Sequence, residues 1–420
     1  MKVNTTYIPT LEDVTRAASV LHSVVRETPL TYNKTYSDHY GAQVFLKRED
    51  LQEVRSYKIR GAYHKIYGLS ETQKAKGIVC ASAGNHAQGV ALSCKKLGIK
   101  GTIYMPVTTP GQKIDQVLMF GGAFVDIVLQ GDTFDEANEE ALKICKQQGK
   151  EFVHPFDDER IIEGQATVAL EILHQSTTTP DYLFVPVGGG GLIAGTISII
   201  KALSPDTKVV GVEPKGAASM KTSLLKKENV LLEKIDKFVD GAAVQRVGNK
   251  TFEICKQLLP DMVTVDEGLV CQTILDLYNK DAIVVEPAGA LTLAALETYR
   301  SKIKNKNIVC VVSGSNNDIT RTAEIKERAL LYANLKHYFI VRFPQRAGAL
   351  KQFVAEILGP DDDITHFEYS KKHSREKGPA VVGIELKKKE DLYPLIERMK
   401  VHNFYGDYLN DKPDLFQFLV

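Results

Sequence analysis

The sequence predicts an α/β protein built on open parallel sheets, followed by a smaller α+β domain. Three observations carry this expectation. Short strand-like runs at 78–81, 102–105, 182–187, 208–212 and 308–312, the last two rich in β-branched residues, alternate with helical stretches, the pattern of parallel sheets covered on both faces. Near residue 325 the texture changes, and the remainder reads strand, helix, strand, strand, helix, strand, the order of the ferredoxin-like split unit. Finally, 420 residues are too many for one ordinary core, so two or three domains are expected.

From the N-terminus, Thr10 and Asp13 form a capping-box pair ahead of a helix with Leu11, Val14, Ala18, Leu21 and Val25 on one face, closed by Pro29. Residues 44–47 are an apolar run between Gly41 and the acidic pair Glu49-Asp50, and read as a strand. A helical stretch runs from the Lys58 region through Ile66, and Gly77 leads into strand 78–81. The segment Ser82-Ala83-Gly84-Asn85-His86-Ala87-Gln88-Gly89 then opens a helix that reaches Leu97 and stops at Gly98. Strands follow at 102–105, ended by Pro106, and at 124–129. Thr133 and Glu136 cap a helix whose Phe134, Ala137, Ala141, Ile144 and Cys145 share a face, with Gly149 as its stop. Beyond come strand 182–187, a glycine loop at 188–191, a helix over 192–203 broken at Ser204-Pro205, and strands 208–212 and 308–312. A charged, helix-prone connector at 321–334 leads to strand 338–343, helix 349–358, strands 364–369 and 380–386, helix 392–399 and a strand from Phe404. The expected division is a first domain over 1–325, with a smaller subdomain at about 50–150 inserted in it, and a second over 326–420, of ordinary domain size.

With 53 Lys+Arg against 52 Asp+Glu the net charge is +1, which advertises neither nucleic acid nor an anionic membrane as a partner. The hydrophobic share of 44% and charged share of 25% are those of a soluble globular protein. No apolar run has the length of a bilayer span and the N-terminus has no apolar signal core, so a cytoplasmic location is expected. Six cysteines, Cys80, Cys94, Cys145, Cys255, Cys271 and Cys310, are scattered without a C-x-x-C pair. They suggest neither a zinc site nor a disulfide framework, and read as reduced core residues.

Four stretches carry chemistry. The first is Arg55-Ser56-Tyr57-Lys58-Ile59-Arg60-Gly61-Ala62. Lys58 can form an imine with an aldehyde, and the Tyr57 ring can lie against a conjugated system. A lysine is a strong nucleophile only when neutral, so a catalytic one sits where desolvation or neighbouring cations depress its pKa. Arg55 and Arg60 are candidate cations. Alone, the triplet reads as a surface lysine at a helix start. The second stretch is Gly188-Gly189-Gly190-Gly191-Leu192, between a strand and a helix, where backbone N–H groups and the helix dipole suit a phosphate. A tight turn seldom needs four consecutive glycines. Gly189, Gly191 and Ala194 also fit the dinucleotide pattern G-x-G-x-x-A with Glu213 at the end of the next strand, so a nicotinamide site competes.

The third stretch, Ser82 to His86, can hold a second anion such as a carboxylate, with Asn85 offering a donor and an acceptor. Gly84 and Gly89 suit close backbone approach; the alternative is an ordinary helix start with Ser82 as N-cap. The fourth, Ser313-Gly314-Ser315-Asn316-Asn317, places a hydroxyl at the carboxyl end of a parallel strand, where ligands bind in open sheets, although a simple loop reads the same way. The turn Glu286-Pro287-Ala288-Gly289-Ala290 can also face a site. No G-x-S-x-G elbow supports a triad hydrolase, and Asp361-Asp362-Asp363 reads as a solvated loop, so no metal site is expected.

Taken together and in this order, these stretches resemble the fold type II (tryptophan synthase β-like) pyridoxal phosphate enzymes, and among them the threonine dehydratases, also called threonine deaminases. The match spans nearly the whole chain, through residues 47–52, 56–62, 82–89 and 188–192, and the nicotinamide reading falls behind it. The resemblance implies that Lys58 holds pyridoxal 5′-phosphate as an imine and then removes the substrate Cα proton. It implies that Tyr57, where such enzymes often carry Phe, packs on the pyridine ring, and that Asn85 hydrogen-bonds the 3′-oxygen. Gly188, Gly189, Gly190, Gly191 and Leu192 would bind the phosphate, Ser82, Asn85 and His86 the substrate carboxylate, and Ser313 would face the pyridine nitrogen. A serine there does not stabilise a pyridinium cation, which favours prompt loss of a β-hydroxyl. The implied reaction converts L-threonine, or L-serine, to a 2-oxo acid and ammonia; 2-oxobutanoate from threonine begins isoleucine synthesis. A serine-preferring dehydratase, a β-replacement synthase and a catalytically silent amino-acid sensor are the alternatives.

Two departures narrow the expectation. Related serine racemases carry a second serine where this chain has Ala83, and bind a divalent metal through a Glu and an Asp where it has Glu213 and Ser219. Racemisation and tight divalent binding are therefore not expected, while a monovalent cation stays open. The last domain is similar to the ACT-like regulatory domains of threonine dehydratases through Phe343-Pro344-Gln345-Arg346-Ala347-Gly348-Ala349-Leu350. One copy is expected where longer members have two. The resemblance implies L-isoleucine or L-valine as effectors and a homotetramer, a purely structural domain being the alternative.

Overall fold

The computed structural model describes residues 7–369 and 377–412, in two compact units that divide between Asp318 and Ile319. The parts of the expected domains at 1–6, 370–376 and 413–420 lie outside the described residues. Among its described residues the first unit holds ten strands: β1 (Leu30–Tyr32), β2 (Gln43–Arg48), β3 (Ile78–Ala81), β4 (Gly101–Met105), β5 (Val125–Leu129), β6 (Glu151–Phe152), β7 (Tyr182–Pro186), β8 (Lys208–Pro214), β9 (Asp261–Val265) and β10 (Asn307–Val312). They form a six-stranded sheet in the order β1-β2-β10-β7-β8-β9 and a four-stranded sheet in the order β5-β4-β3-β6. All pairs are parallel except β1 on β2. The chain leaves the larger sheet after β2, builds the smaller one and returns at β7.

Local signals behave as their chemistry demands. Thr10 and Asp13 close a capping box on the helix Leu11–Leu21, which buries Val14, Ala17 and Leu21 and leaves Leu11 exposed. The helices Asn85–Leu97 and Phe134–Gln148 both stop at a left-handed glycine, Gly98 at φ +69° and Gly149 at φ +59°. The last of these helices buries Ala137, Ala141 and Cys145 but not Phe134. All six cysteines are free and buried. Among the described residues, no helix is long and apolar enough to cross a membrane.

Helices around the site meet backbone to backbone. A Cβ on Gly164 would lie 2.7 Å from Arg60 O and from Gly61 Cα, and one on Gly195 would lie 2.5 Å from Ile162 O. Three helices, Lys58–Tyr67, Glu159–Gln175 and Gly191–Leu203, are thereby seated with no room for a side chain between them. Beside this seat lies a buried ion cluster. Arg60 binds Glu49 at 2.7 Å and Glu171 at 2.6 Å, and Lys47 binds Glu171 at 2.5 Å. Burial first, and the Arg60 charge as well, pull the Lys47 pKa down against Glu49 and Glu171, so the carboxylates around it are what keep the cluster tolerable.

The second unit carries β11 (Lys336–Pro344), β12 (Asp363–Tyr369), β13 (Lys377–Glu385) and β14 (Tyr405–Tyr408), with the helices Ala349–Glu356 and Leu392–Val401 between them. The sheet is antiparallel in the order β12-β13-β11-β14, the ferredoxin-like arrangement. Its core is aromatic: the Phe343 ring lies 5.2 Å from Phe353 and 5.5 Å from Phe404. The helix Thr322–Tyr332 precedes β11.

The glycine seat generates a prediction. Gly164→Val should destabilise the first unit by about 1–3 kcal/mol through overpacking, read as a lower urea midpoint. Gly111→Ala, where a Cβ meets nothing within 4 Å, should stay within about 0.5 kcal/mol.

Candidate active site

Three site segments follow three neighbouring strands of the larger sheet, β2, β10 and β7, at their carboxyl ends. The carboxyl ends of parallel strands are where open sheets bind ligands. After β2 the chain crosses to the loop beyond β10: Ser56 bridges Gly314, and Tyr57 N donates to Ser313 O at 3.2 Å. The helix Lys58–Tyr67 then begins at the lysine itself. Lys58 Nζ donates to Pro155 O at 2.9 Å and lies 5.4 Å from the centre of the Tyr57 ring.

Desolvation lowers the Lys58 pKa from 10.5 to about 8, against an opposing pull from Glu286. The candidate cations take no part. Arg60 is committed to Glu49 and Glu171, and Arg55 is exposed to water. Removal from water is sufficient.

The glycine loop joins β7 to the helix Gly191–Leu203. A Cβ on Gly189 would collide with the Phe156 ring, and one on Gly190, at φ +96°, would lie 2.7 Å from Thr251 Oγ1. Thr251 Oγ1 donates to Gly189 O at 2.7 Å and fixes the loop. The first N–H groups of the helix have no partner within it, so together with the dipole they form an anion cradle. The dinucleotide alternative fails at Glu213. Both of its oxygens accept backbone N–H groups, from Met220 at 2.6 Å and Lys221 at 2.9 Å. It holds the start of the helix Ser219–Lys226, while burial pushes its pKa up to about 8. Ser219 is likewise engaged, through its hydroxyl, with Val244 O. Among the described residues, no group of three or more His, Cys, Asp or Glu is placed to hold a metal ion.

The helix Asn85–Leu97 starts beside the lysine, with Gly84 rather than Ser82 at its N-cap. Ser82 Oγ accepts from Gly84 N at 3.2 Å. Gly89 packs on the Lys58 backbone, whereas Gly84 has open space around it. His86 is buried, and its Nε2 sits 2.9 Å from Val153 O, so Nε2 carries the proton. Burial, with the Lys58 charge second, lowers its pKa to about 3. The ring is neutral and committed, so His86 can serve a carboxylate only through its backbone N–H.

Asn85 Nδ2 donates to Glu286 Oε1 at 2.7 Å, and Asn85 Oδ1 accepts from Asn316 Nδ2 at 2.6 Å. Glu286 is buried against Gly314, where a Cβ would lie 2.5 Å from Oε1. Burial first, and Asp240 second, push its pKa up to about 7. Ser313 is buried at the end of β10. Sequence reasoning flagged the Glu286 turn and the stretch that holds Asn316, without giving Asn316 a role, but missed Pro155, Phe156 and Thr251. The first two had a signal: His154-Pro155-Phe156-Asp157 follows the end of β6, beside β3 in the smaller sheet.

Comparison with known proteins agrees with this geometry. Residues 21–314 match the family model described as pyridoxal-phosphate dependent enzyme, and 327–419 match the C-terminal regulatory domain of threonine dehydratase. The biosynthetic L-threonine dehydratase of Bacillus subtilis is 54% identical over 410 residues, 98% of this chain and 97% of that protein. The chain belongs to the threonine dehydratase family. A Staphylococcus aureus biosynthetic L-threonine dehydratase is 52% identical over 424 residues, covering both chains completely. Among solved structures, the processed form of threonine deaminase isoform 2 from Solanum lycopersicum superposes with a TM-score of 0.72 at 41% identity, over 78% of this chain and 92% of that one.

Threonine dehydratases of this family use pyridoxal phosphate, and the residues present fit it. A lysine amine held close to neutrality suits its aldehyde, and the cradle that a Cβ at Gly189 or Gly190 would fill suits its phosphate. Below pH 8 Lys58 is protonated and unreactive; above it, neutral. The pH dependence of amine labelling at Lys58 in cofactor-stripped protein should therefore give an apparent pKa of about 8. Exposed lysines should titrate near 10.4, with peptide mapping separating the two.

Proposed function

We propose that the chain converts L-threonine to 2-oxobutanoate and ammonia with pyridoxal 5′-phosphate, taking L-serine as a second substrate. The observation that carries this is Lys58: an amine desolvated to a pKa of about 8, at a helix start on whose backbone Gly89 of the helix Asn85–Leu97 packs. When bound, the cofactor supplies the carbonyl that captures the substrate amine and the ring that draws electrons from Cα. The chain's residues do the rest. Lys58 anchors the cofactor and then takes the Cα proton, with Pro155 O aiming Nζ. Tyr57 covers the ring, Asn85 donates to the 3′-oxygen, and Ser313 faces the ring nitrogen without charging it. Gly188, Gly189, Gly190, Gly191 and Leu192 hold the phosphate through backbone N–H groups. Ser82, Asn85 and the backbone of His86 take the substrate carboxylate.

Catalysis is assigned to residues 1–325, with the smaller sheet as an inserted subdomain at about 50–150, the size of ordinary domains. Residues 326–420 are assigned to regulation by L-isoleucine or L-valine in a cytoplasmic homotetramer. The turn from β11 into the helix Ala349–Glu356, with Gly348 at φ +83°, offers backbone groups to a small amino acid. Such an effector acts by binding two conformations unequally.

The test is 2-oxobutanoate formation from L-threonine with added pyridoxal phosphate, with and without L-isoleucine. Activity suppressed by isoleucine is the expected result. Activity indifferent to isoleucine would refute regulation by that amino acid, and no activity on threonine or serine would refute the dehydratase. Lys58→Ala should lower the rate by at least about 10²–10⁴-fold, the usual contribution of a general base.

A further inference from the structure

Three residues from distant parts of the first unit form a closed ring beside Lys58. Val54 O can only accept, and it takes a hydrogen from Asn316 Nδ2 at 2.9 Å. The same nitrogen gives its other hydrogen to Asn85 Oδ1 at 2.6 Å. That decides which end of the Asn85 carboxamide is which, because an oxygen must face a nitrogen whose role is already fixed. Asn85 Nδ2 therefore faces Glu286 Oε1, and donates to it at 2.7 Å. Glu286 closes the ring by also accepting the Asn316 backbone N–H. An amide nitrogen has two hydrogens, and Glu286 uses one of them.

We propose that Asn316 and Glu286 are positioning residues that lock the Asn85 carboxamide nitrogen-inward, so that its second N–H is a donor of fixed direction for the cofactor 3′-oxygen. The proposal rests on the reading of Asn85 given above. It gives the buried carboxylate a use: Glu286 accepts both from Asn85 Nδ2 and from the Asn316 backbone. The groups acting on Glu286 are Asp240, which opposes its charge, and Lys113, which favours it and pairs with Asp240 at 2.7 Å. Its own charge acts in turn on Lys58 and Tyr57. Loss of the carboxylate thus changes both the direction of the Asn85 donor and the field at the lysine.

The experiment uses the full chain, stripped of cofactor, with pyridoxal phosphate as the titrant. Its dissociation constant and the pH midpoint of the visible absorbance of the bound cofactor are the readouts. Asn316→Ala and Glu286→Ala should each weaken binding about tenfold and move the absorbance midpoint. Glu286→Gln keeps an acceptor oxygen and the packing, so it should restore affinity to within about threefold while the midpoint stays displaced. In an Asn85→Ala background Asn316→Ala should have little further effect, since residues acting through one another are not additive. The proposal is overturned if Asn316→Ala binds and titrates like the starting protein, or if its loss is undiminished without Asn85. It is equally overturned if Glu286→Gln leaves the midpoint in place, a comparison that holds even if the alanine variants do not fold. If the starting protein captures no cofactor, the dehydratase reading falls first and takes the proposal with it.

Discussion

The helix that begins at Lys58 is held in place by buried charge, and the site depends on that anchor. Arg60 reaches Glu49 at the end of β2 and Glu171 on the helix Glu159–Gln175, and Lys47 joins the same cluster. Leaving one member of such a cluster unpaired costs about 3–5 kcal/mol, so the helix cannot slide or rotate without a large penalty. The glycine contacts at Gly61 and Gly164 remove the remaining slack. Arg60 lies two positions after Lys58, about 200° around an α-helix. The arginine therefore points into the anchor while the lysine faces the site. One short segment both positions the amine and keeps the nearest guanidinium away from it.

That separation has an electrostatic consequence. The site must receive anionic groups, yet its anion-receptive elements are helix starts at Asn85 and Gly191. Backbone N–H groups and helix dipoles carry only partial charge, and they do not move or exchange protons. The amine at Lys58 can then be tuned by desolvation, with Glu286 opposing. His86 adds no competing proton carrier, since its ring is buried, neutral and bound to Val153 O.

What the sequence makes legible follows from range. Caps and stops are local, and Thr10, Thr133, Gly98 and Gly149 act where they stand. The strands that lead into the site loops of the larger sheet are short, largely apolar runs, equally local. The three-residue β1 and the helix Glu159–Gln175 are not announced; the helix is buried on most sides. Site residues divide in the same way. Lys58 and the glycine loop stand out because their chemistry is compositional. Asn316 does not, because its partner Asn85 is 231 residues away. Arg60 was read as a partner for Lys58 because proximity in sequence is not proximity on a helix face. The dinucleotide pattern was undecidable locally, and was settled by what Glu213 binds.

Reaction choice follows from which side of the site can hold a proton. In the proposed roles Lys58 takes the Cα proton on one face. Return of a proton from the other face would need an acid there, and the resemblance to serine racemases implies that Ala83 stands where they carry a serine. His86 does not replace it, since at a pKa of about 3 it holds no acidic proton near neutrality and its Nε2–H is engaged. With no opposite acid, inversion at Cα has no route through these residues. What remains is to protonate Cα again from Lys58, which regenerates substrate, or to lose the β-hydroxyl. Ser313, buried and uncharged beside the ring nitrogen in this reading, shortens the life of the negative charge at Cα and tips that competition toward elimination. In the proposed roles, the hydroxyl missing at Ala83 disfavours racemisation, and the uncharged Ser313 favours elimination.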